Sequence, residues 1–365
     1  MRVIALLNLS ELETSVLSSR TSNNFDFIRI AAASFVLIGH SSDVLLNQPL
    51  LWDPGKLLFG FSMQSLGVLI FFIISGYLVT SSFENRKSLF IFIISRVLRI
   101  FPALIVIVLL SVFVLGTALT TVSMQDYFNS EFTKHYLQNM TLYRMYYYLP
   151  GVFETNPIGS SVNASLWTLP YEFTCYLYIA LAGMVSLLNS KWVSLTLFVV
   201  YFSSYIYFQD EIDRIVIPII GIDFKTFFIP FLYFLAGSQY YKFRSSISYN
   251  FWGLLICGAI TVLVKTGYLH HQFLIPVLPY LVLAFAFSKV MKLYHFARYG
   301  DFSYGLYLYA FPVQQLIVYF APVKPDLWMM IFLSFVFTVP FAFFSWHVVE
   351  KRALSLKHKF GKTTY

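Results

Sequence analysis

The sequence predicts an all-α, polytopic integral membrane bundle of about ten transmembrane helices with both termini in the cytoplasm. Three observations predict it. Of 365 residues, 58% are hydrophobic and only 12% charged, about half the charged share of an ordinary soluble domain. Mean hydropathy is +0.70. A chain this poor in charge lacks the polar groups to cover a water-facing surface, so its outer solvent is read as lipid. Apolar runs of near-spanning length then recur along the chain, and the cations between them alternate in density from one side to the other.

Residues 1–24 are expected to form a cytoplasmic lead-in. The apolar start at Met1 turns polar at Ser10, Glu11 and Glu13, too early for a signal-peptide core. Apolar runs follow at 27–46, 64–83, 100–120, 166–188, 192–208, 226–241, 249–265, 272–290, 302–320 and 327–348. Each is close to the length that crosses roughly 30 Å of hydrocarbon. Turn-formers and charges separate them, as at Asp53-Pro54-Gly55 and Glu84-Asn85-Arg86-Lys87. The longest connection, 121–165, is expected to face outward and is rich in tyrosine, at 127, 136, 143, 146, 147 and 148. Residues 25–352 read as one membrane domain, and 353–365 as a basic cytoplasmic tail.

Net charge is +8, but the cations are dispersed, which argues against nucleic acid and for a topology signal. Placing the N-terminus inside assigns 17 of the 25 Lys and Arg residues to the inner side and 7 to the outer, with Arg29 at the inner edge. That bias selects an even number of spans. The two cysteines, Cys175 and Cys257, lie far apart in apolar runs, and no metal-ligand spacing is visible.

Ionisable residues at membrane depth are functional candidates. Arg29 and His40 are three helical turns apart on one face, separated by about 16 Å along the axis. Arg29 reads either as a snorkelling anchor or as a ligand group, and His40 lies in the outer half. Arg96 and Arg99 open the third run at i and i+3, so their forks share a face. They suit either a positive-inside anchor or a bidentate phosphate clamp. Glu172 enters from outside to a depth similar to His40, where a carboxylate must be paired, hydrogen-bonded or protonated. It could orient an imidazole. The pair His270-His271 reads as a solvated loop feature.

At these residues the chain resembles the membrane acyltransferase-3 family, which includes bacterial O-acetyltransferases of surface polysaccharides. The matching motifs are Asp26-x-x-Arg29 with His40, Phe71-Phe72-Ile73-Ile74-Ser75-Gly76-Tyr77-Leu78, and Arg96-x-x-Arg99-Ile100-x-Pro102. They continue with Leu166-Trp167-Thr168-Leu169-x-x-Glu172, then Gly300-Asp301-Phe302-Ser303-Tyr304-Gly305-Leu306-Tyr307-Leu308, then Glu350-Lys351. Many relatives carry a His just after the Tyr-Leu of the ninth run, where this chain has Tyr309-Ala310. That departure leaves His40 as the buried base candidate.

The resemblance implies transfer of an acyl group, most simply acetyl, from cytoplasmic acyl-CoA to a hydroxyl of a surface polysaccharide, O-antigen or lipid-linked sugar. It places the chain in a bacterial inner membrane, with acetyl-CoA as donor substrate and no resident cofactor. Arg29, Arg96 and Arg99 are the expected donor-binding residues and His40 with Glu172 the catalytic pair, His40 acting as general base or through an acyl-imidazole. Asp26, Trp167, Ser303 and Tyr304 are expected to support the site, Trp167 and Tyr304 on the acceptor side. Two other readings remain open from sequence: a transporter or flippase of polysaccharide or lipid-linked sugar, and a polymerase using the 121–165 connection.

Overall fold

The computed structural model describes residues 23–357, apart from 86–87, 213–215, 218–221, 265–269, 289, 292, 294 and 297–299. The expected lead-in to residue 22 and the tail beyond 357 therefore lie outside the described residues. The chain is an all-helical bundle, with one short antiparallel pairing of Val216–Ile217 on Ile222–Asp223.

Every apolar run carries a helix. These are α1 (Phe25–Leu46), α3 (Met63–Glu84), α4 (Leu89–Leu110), α7 (Thr168–Met184) and α8 (Lys191–Ile212), then α9 (Phe224–Lys242), α10 (Phe251–Leu263), α11 (His270–Ala286), α12 (Ser303–Phe320) and α13 (Leu327–Ser345). A short α2 (Pro54–Phe59) joins α1 to α3, with α5 (Met124–Asn129) and α6 (Glu131–Gln138) in the long connection. Among the described residues, four helices are long and apolar enough to cross a membrane by themselves: Phe25–Leu46, Met63–Glu84, Leu89–Leu119 and Leu327–Ser355. The last two continue α4 and α13 through π-helical stretches, Ser111–Gly116 and Trp346–Glu350.

Boundaries follow capping chemistry. Asp53 caps α2 by accepting from the amides of Gly55 at 2.8 Å and Lys56 at 3.2 Å, and it also accepts from the Met63 amide at the start of α3. Ser88 caps α4, accepting from Ile91 at 3.4 Å. The third run thus begins a full three turns earlier than expected. Arg96 and Arg99 sit inside the helix, not at its opening. His270 begins α11, so the His270-His271 pair is no loop feature, and the His271 ring lies 4.6 Å from Phe61.

Helix α3 forms the centre, packed on α1, α7 and α9. Small residues set the closest approach, as expected where lipid removes any hydrophobic drive between helices. A Cβ on Gly76 would stand 1.9 Å from the carbonyl oxygen of Phe234, and one on Gly237 would stand 2.2 Å from that of Ile73. Thr80 Oγ1 donates to Ser238 Oγ at 2.8 Å across the same seam. Gly76→Ala is therefore expected to destabilise the bundle by about 1–3 kcal/mol or more, read as a lowered unfolding temperature in detergent. Gly258→Ala, where an added Cβ meets nothing within 4 Å, is expected to leave it unchanged.

The 121–165 connection is folded rather than loose. Tyr127 and Tyr136 are buried in it, and the Tyr127 hydroxyl donates to the carbonyl of Val112 at 2.9 Å. Its end is pinned to α12: Asn156 donates to the Gln315 side chain at 2.8 Å and Asn163 to the Leu308 carbonyl at 2.9 Å. The outer face of α13 shows Trp328, Phe332, Phe337, Phe341 and Phe344 exposed, a surface that only lipid would solvate.

Candidate active site

A cavity of about 360 Å³ lies between α1, α3, α4, α7 and α12. Its lining on α3 runs from Val79 to Val68, about 16 Å by helix rise. Asn23, Asp26, Leu354 and Lys357 line the end near the start of α1, and Val68, Phe71, Thr168 and Tyr307 line the other. Three guanidinium groups, Arg29, Arg96 and Arg99, face into it together with Glu172, Asp301, Ser303 and Tyr304. The structure thus brings the three expected arginines, Asp26, Ser303 and Tyr304 into one chamber.

Arg29 and Arg99 are held by carboxylates, one on the same helix at i, i+3 and two from distant parts of the chain. Arg29 Nη1 bonds Asp26 Oδ1 at 2.8 Å and reaches Asp301 Oδ2 at 3.4 Å. Arg99 Nη2 donates to that same Asp301 oxygen at 2.8 Å, and Arg99 Nη1 lies 3.8 Å from Glu350 Oε2. Asp301 is 2% exposed, and its second oxygen accepts from Ser303 Oγ at 2.5 Å. A buried carboxylate bridging two forks balances their repulsion and fixes their separation. Ser345 Oγ donates to Glu350 at 3.0 Å, so the acidic residue closing the last helix stands behind Arg99. Arg96 donates to Ser82 Oγ at 3.3 Å, and its Cζ lies 5.7 Å from the ring centroid of Phe92 and 5.5 Å from that of Tyr176.

Other assignments move. Glu172 does not orient His40: it lines the cavity and accepts a hydrogen bond from the Tyr176 hydroxyl one turn along α7. The His40 imidazole is instead served by its own helix, with Nδ1 3.3 Å from Asp43 Oδ2. The same oxygen accepts from Gln64 Nε2 at 3.1 Å. A residue at i+3 reaches the ring without crossing between helices, which is why Asp43 displaces Glu172. Tyr304 lies under Arg99, its ring centroid 5.6 Å from the guanidinium, and donates to the Ile100 carbonyl at 3.0 Å. It packs with the arginines. Trp167 stands at the start of α7 against Tyr171, centroids 5.7 Å apart, and is absent from the cavity lining.

His40 is 18% exposed and packs edge-on against Phe311 at 5.5 Å. It does not line the cavity. Two neighbouring helices place it about one turn beyond the far end: on α3, Gln64, which shares Asp43 with it, lies one turn past Val68, and on α12, Phe311 lies one turn past Tyr307. On α1 itself the lining stops at Arg29, about three turns before His40. Nor is it the sole enclosed imidazole, since Nε2 of His347 is also buried, with its ring 4.2 Å from Phe343.

The profile of the family described as "Acyltransferase domain" matches residues 22–347. The chain is 30% identical over 346 residues to a protein named O-acetyl transferase of Shigella phage Sf6, covering 92% of this chain and 96% of that one. It is 29% identical over 369 residues to Nodulation protein 10 of Rhizobium leguminosarum bv. viciae, covering 93% and 95%. No solved structure matches. Of the three readings open in the sequence, family membership selects the enzyme. With apolar helices enclosing an arginine-lined chamber and a match across most of its length, the chain belongs to the membrane acyltransferase-3 family and is an acyltransferase.

Proposed function

We propose that this protein is a membrane O-acetyltransferase that moves an acetyl group from cytoplasmic acetyl-CoA to a hydroxyl of a surface polysaccharide or lipid-linked sugar. The observation that carries this reading is the elongated cavity with Arg29, Arg96, Arg99 and Lys357 toward one end and His40 one turn past the other. Polyphosphate is recognised by guanidinium forks, and a pantetheine arm is long enough to run the roughly 16 Å of the chamber. The O-acetyl transferase of the phage, similar over most of the chain, supports acetyl as the group moved.

About ten spans with both termini inside, in a bacterial cytoplasmic membrane, suit this task. The inner-side cations of the positive-inside count then flank the end where a cytoplasmic donor arrives. An acceptor presented outside meets the His40 end.

In the transfer step, neutral His40 takes the proton from the sugar hydroxyl as its oxygen attacks the thioester carbonyl carbon. The carbon–sulfur bond breaks, and the imidazolium returns the proton to the departing CoA thiolate. Asp43, on Nδ1, fixes the tautomer that leaves Nε2 as acceptor and stabilises the imidazolium. Asp301 sets the arginine spacing for phosphate.

Cells lacking the protein should lose an ester methyl signal from the NMR spectrum of their surface glycan, and membranes carrying it should move label from acetyl-CoA into that glycan. An unchanged glycan together with unlabelled product would overturn the reading.

A further inference from the structure

A pair of rings stands near the far end of the cavity, about one turn before Val68 on α3. Phe71 of α3 and Tyr307 of α12 both line it, with centroids 6.1 Å apart at an interplanar angle of 74°. Tyr307 is fixed: its hydroxyl donates to the Ser165 carbonyl at 2.5 Å and lies 2.7 Å from Thr168 Oγ1. Phe71 carries no polar atom and packs against the small cluster of Ala33 and Leu37 on α1, Leu306 and Ala310 on α12, and Ala342 on α13. Leu37 is the residue one turn before His40, and Tyr307 the residue one turn before Phe311, which touches His40. The Phe71 ring therefore stands at the end of the chamber nearer the imidazole.

We propose that Phe71, backed by Tyr307, sets the length of the acyl chain that the enzyme transfers. This rests on the donor assignment made above. A thioester carbonyl brought within reach of His40 lies at the Val68, Phe71 and Tyr307 end, so each carbon beyond the carbonyl meets the face of Phe71. An acetyl methyl fits against it, while a longer chain has to displace the ring or the Ala33, Leu37 and Ala310 surface behind it. Apolar pockets discriminate one methylene by roughly 10–200-fold in kcat/KM. Ala33, Ala310 and Ala342 contribute small side chains beside Leu37 and Leu306 in the cluster behind Phe71, so trimming the ring to alanine opens the depth that the ring itself occupies.

The test uses membranes of the producing cell, which carry the native acceptor, supplied with equal amounts of acetyl-, propionyl- and butyryl-CoA. Acids released from the glycan by mild base are then measured. The wild type is expected to incorporate acetate over butyrate by at least about tenfold, and Phe71→Ala to reduce that ratio by about tenfold or more. Phe71→Leu, which keeps most of the volume, is expected to fall between them and gives the same readout should the alanine variant fold poorly. An active variant with the wild-type ratio would overturn the proposal. A wild type that gains no acid from any of the three acyl-CoAs would instead sink the donor assignment itself, and the two failures are thereby distinguished.

Discussion

Replacing His40 by alanine is expected to lower kcat by about 10²–10⁴-fold, the usual contribution of a positioned general base, while acetyl-CoA still binds. The separation between affinity and turnover arises from distance. The arginines that would hold the donor phosphates line the chamber with Arg29 at the start of α1, whereas the imidazole lies about 16 Å farther along that helix. Its contacts are Asp43 at 3.3 Å and the ring of Phe311 at 5.5 Å, so truncation leaves the arginine network untouched. Asp43→Asn is expected to lower kcat by about tenfold or more by losing tautomer control and imidazolium stabilisation. Glu172→Gln, which leaves the contacts of His40 in place and weakens the hydrogen bond from Tyr176, is expected to cost less than Asp43→Asn. Single-turnover transfer with purified variants gives these values. Full turnover by His40→Ala would remove the imidazole from the mechanism.

Removing the Asp301 carboxylate is expected to be the most destabilising single change in the chamber. Arg29 and Arg99 converge on one of its oxygens, at 3.4 and 2.8 Å, and the side chain is 2% exposed. Asp301→Ala leaves two half-buried guanidinium groups facing one another, and deleting one partner of such a network costs on the order of 3–5 kcal/mol. Lower yield and a lower unfolding temperature in detergent are the expected readings. Because a buried ion pair replaced by apolar groups is often neutral, Asp301→Leu combined with Arg99→Met is expected to recover stability without recovering transfer. A stable, active Asp301→Ala would show that the bridge organises nothing.

How much of this was readable from sequence depended on how local the signal was. The ten apolar runs each hold a helix, because hydropathy is summed over a whole span. Arg96 and Arg99 share a face because i and i+3 spacing is a property of one helix, and both line the cavity. Asp43 stands at i+3 to His40 and is legible by the same spacing, whereas matching depth alone points to Glu172. Depth ranks residues along the membrane normal and says nothing about which helices are neighbours. The bridge from Asp301 to Arg29 spans 272 positions, and no local pattern reports it. Asp301 and Glu350 occur in the matching motifs, and nothing local to either names Arg99 as its partner.

The most direct measurement is calorimetric titration of the purified protein with acetyl-CoA, alongside Arg96→Ala. The wild type is expected to bind, and the variant to bind at least about tenfold more weakly, the cost of one charge-assisted contact of 1.5–3 kcal/mol. Equal affinity in both proteins, or no binding in either, would contradict a donor site built on these arginines.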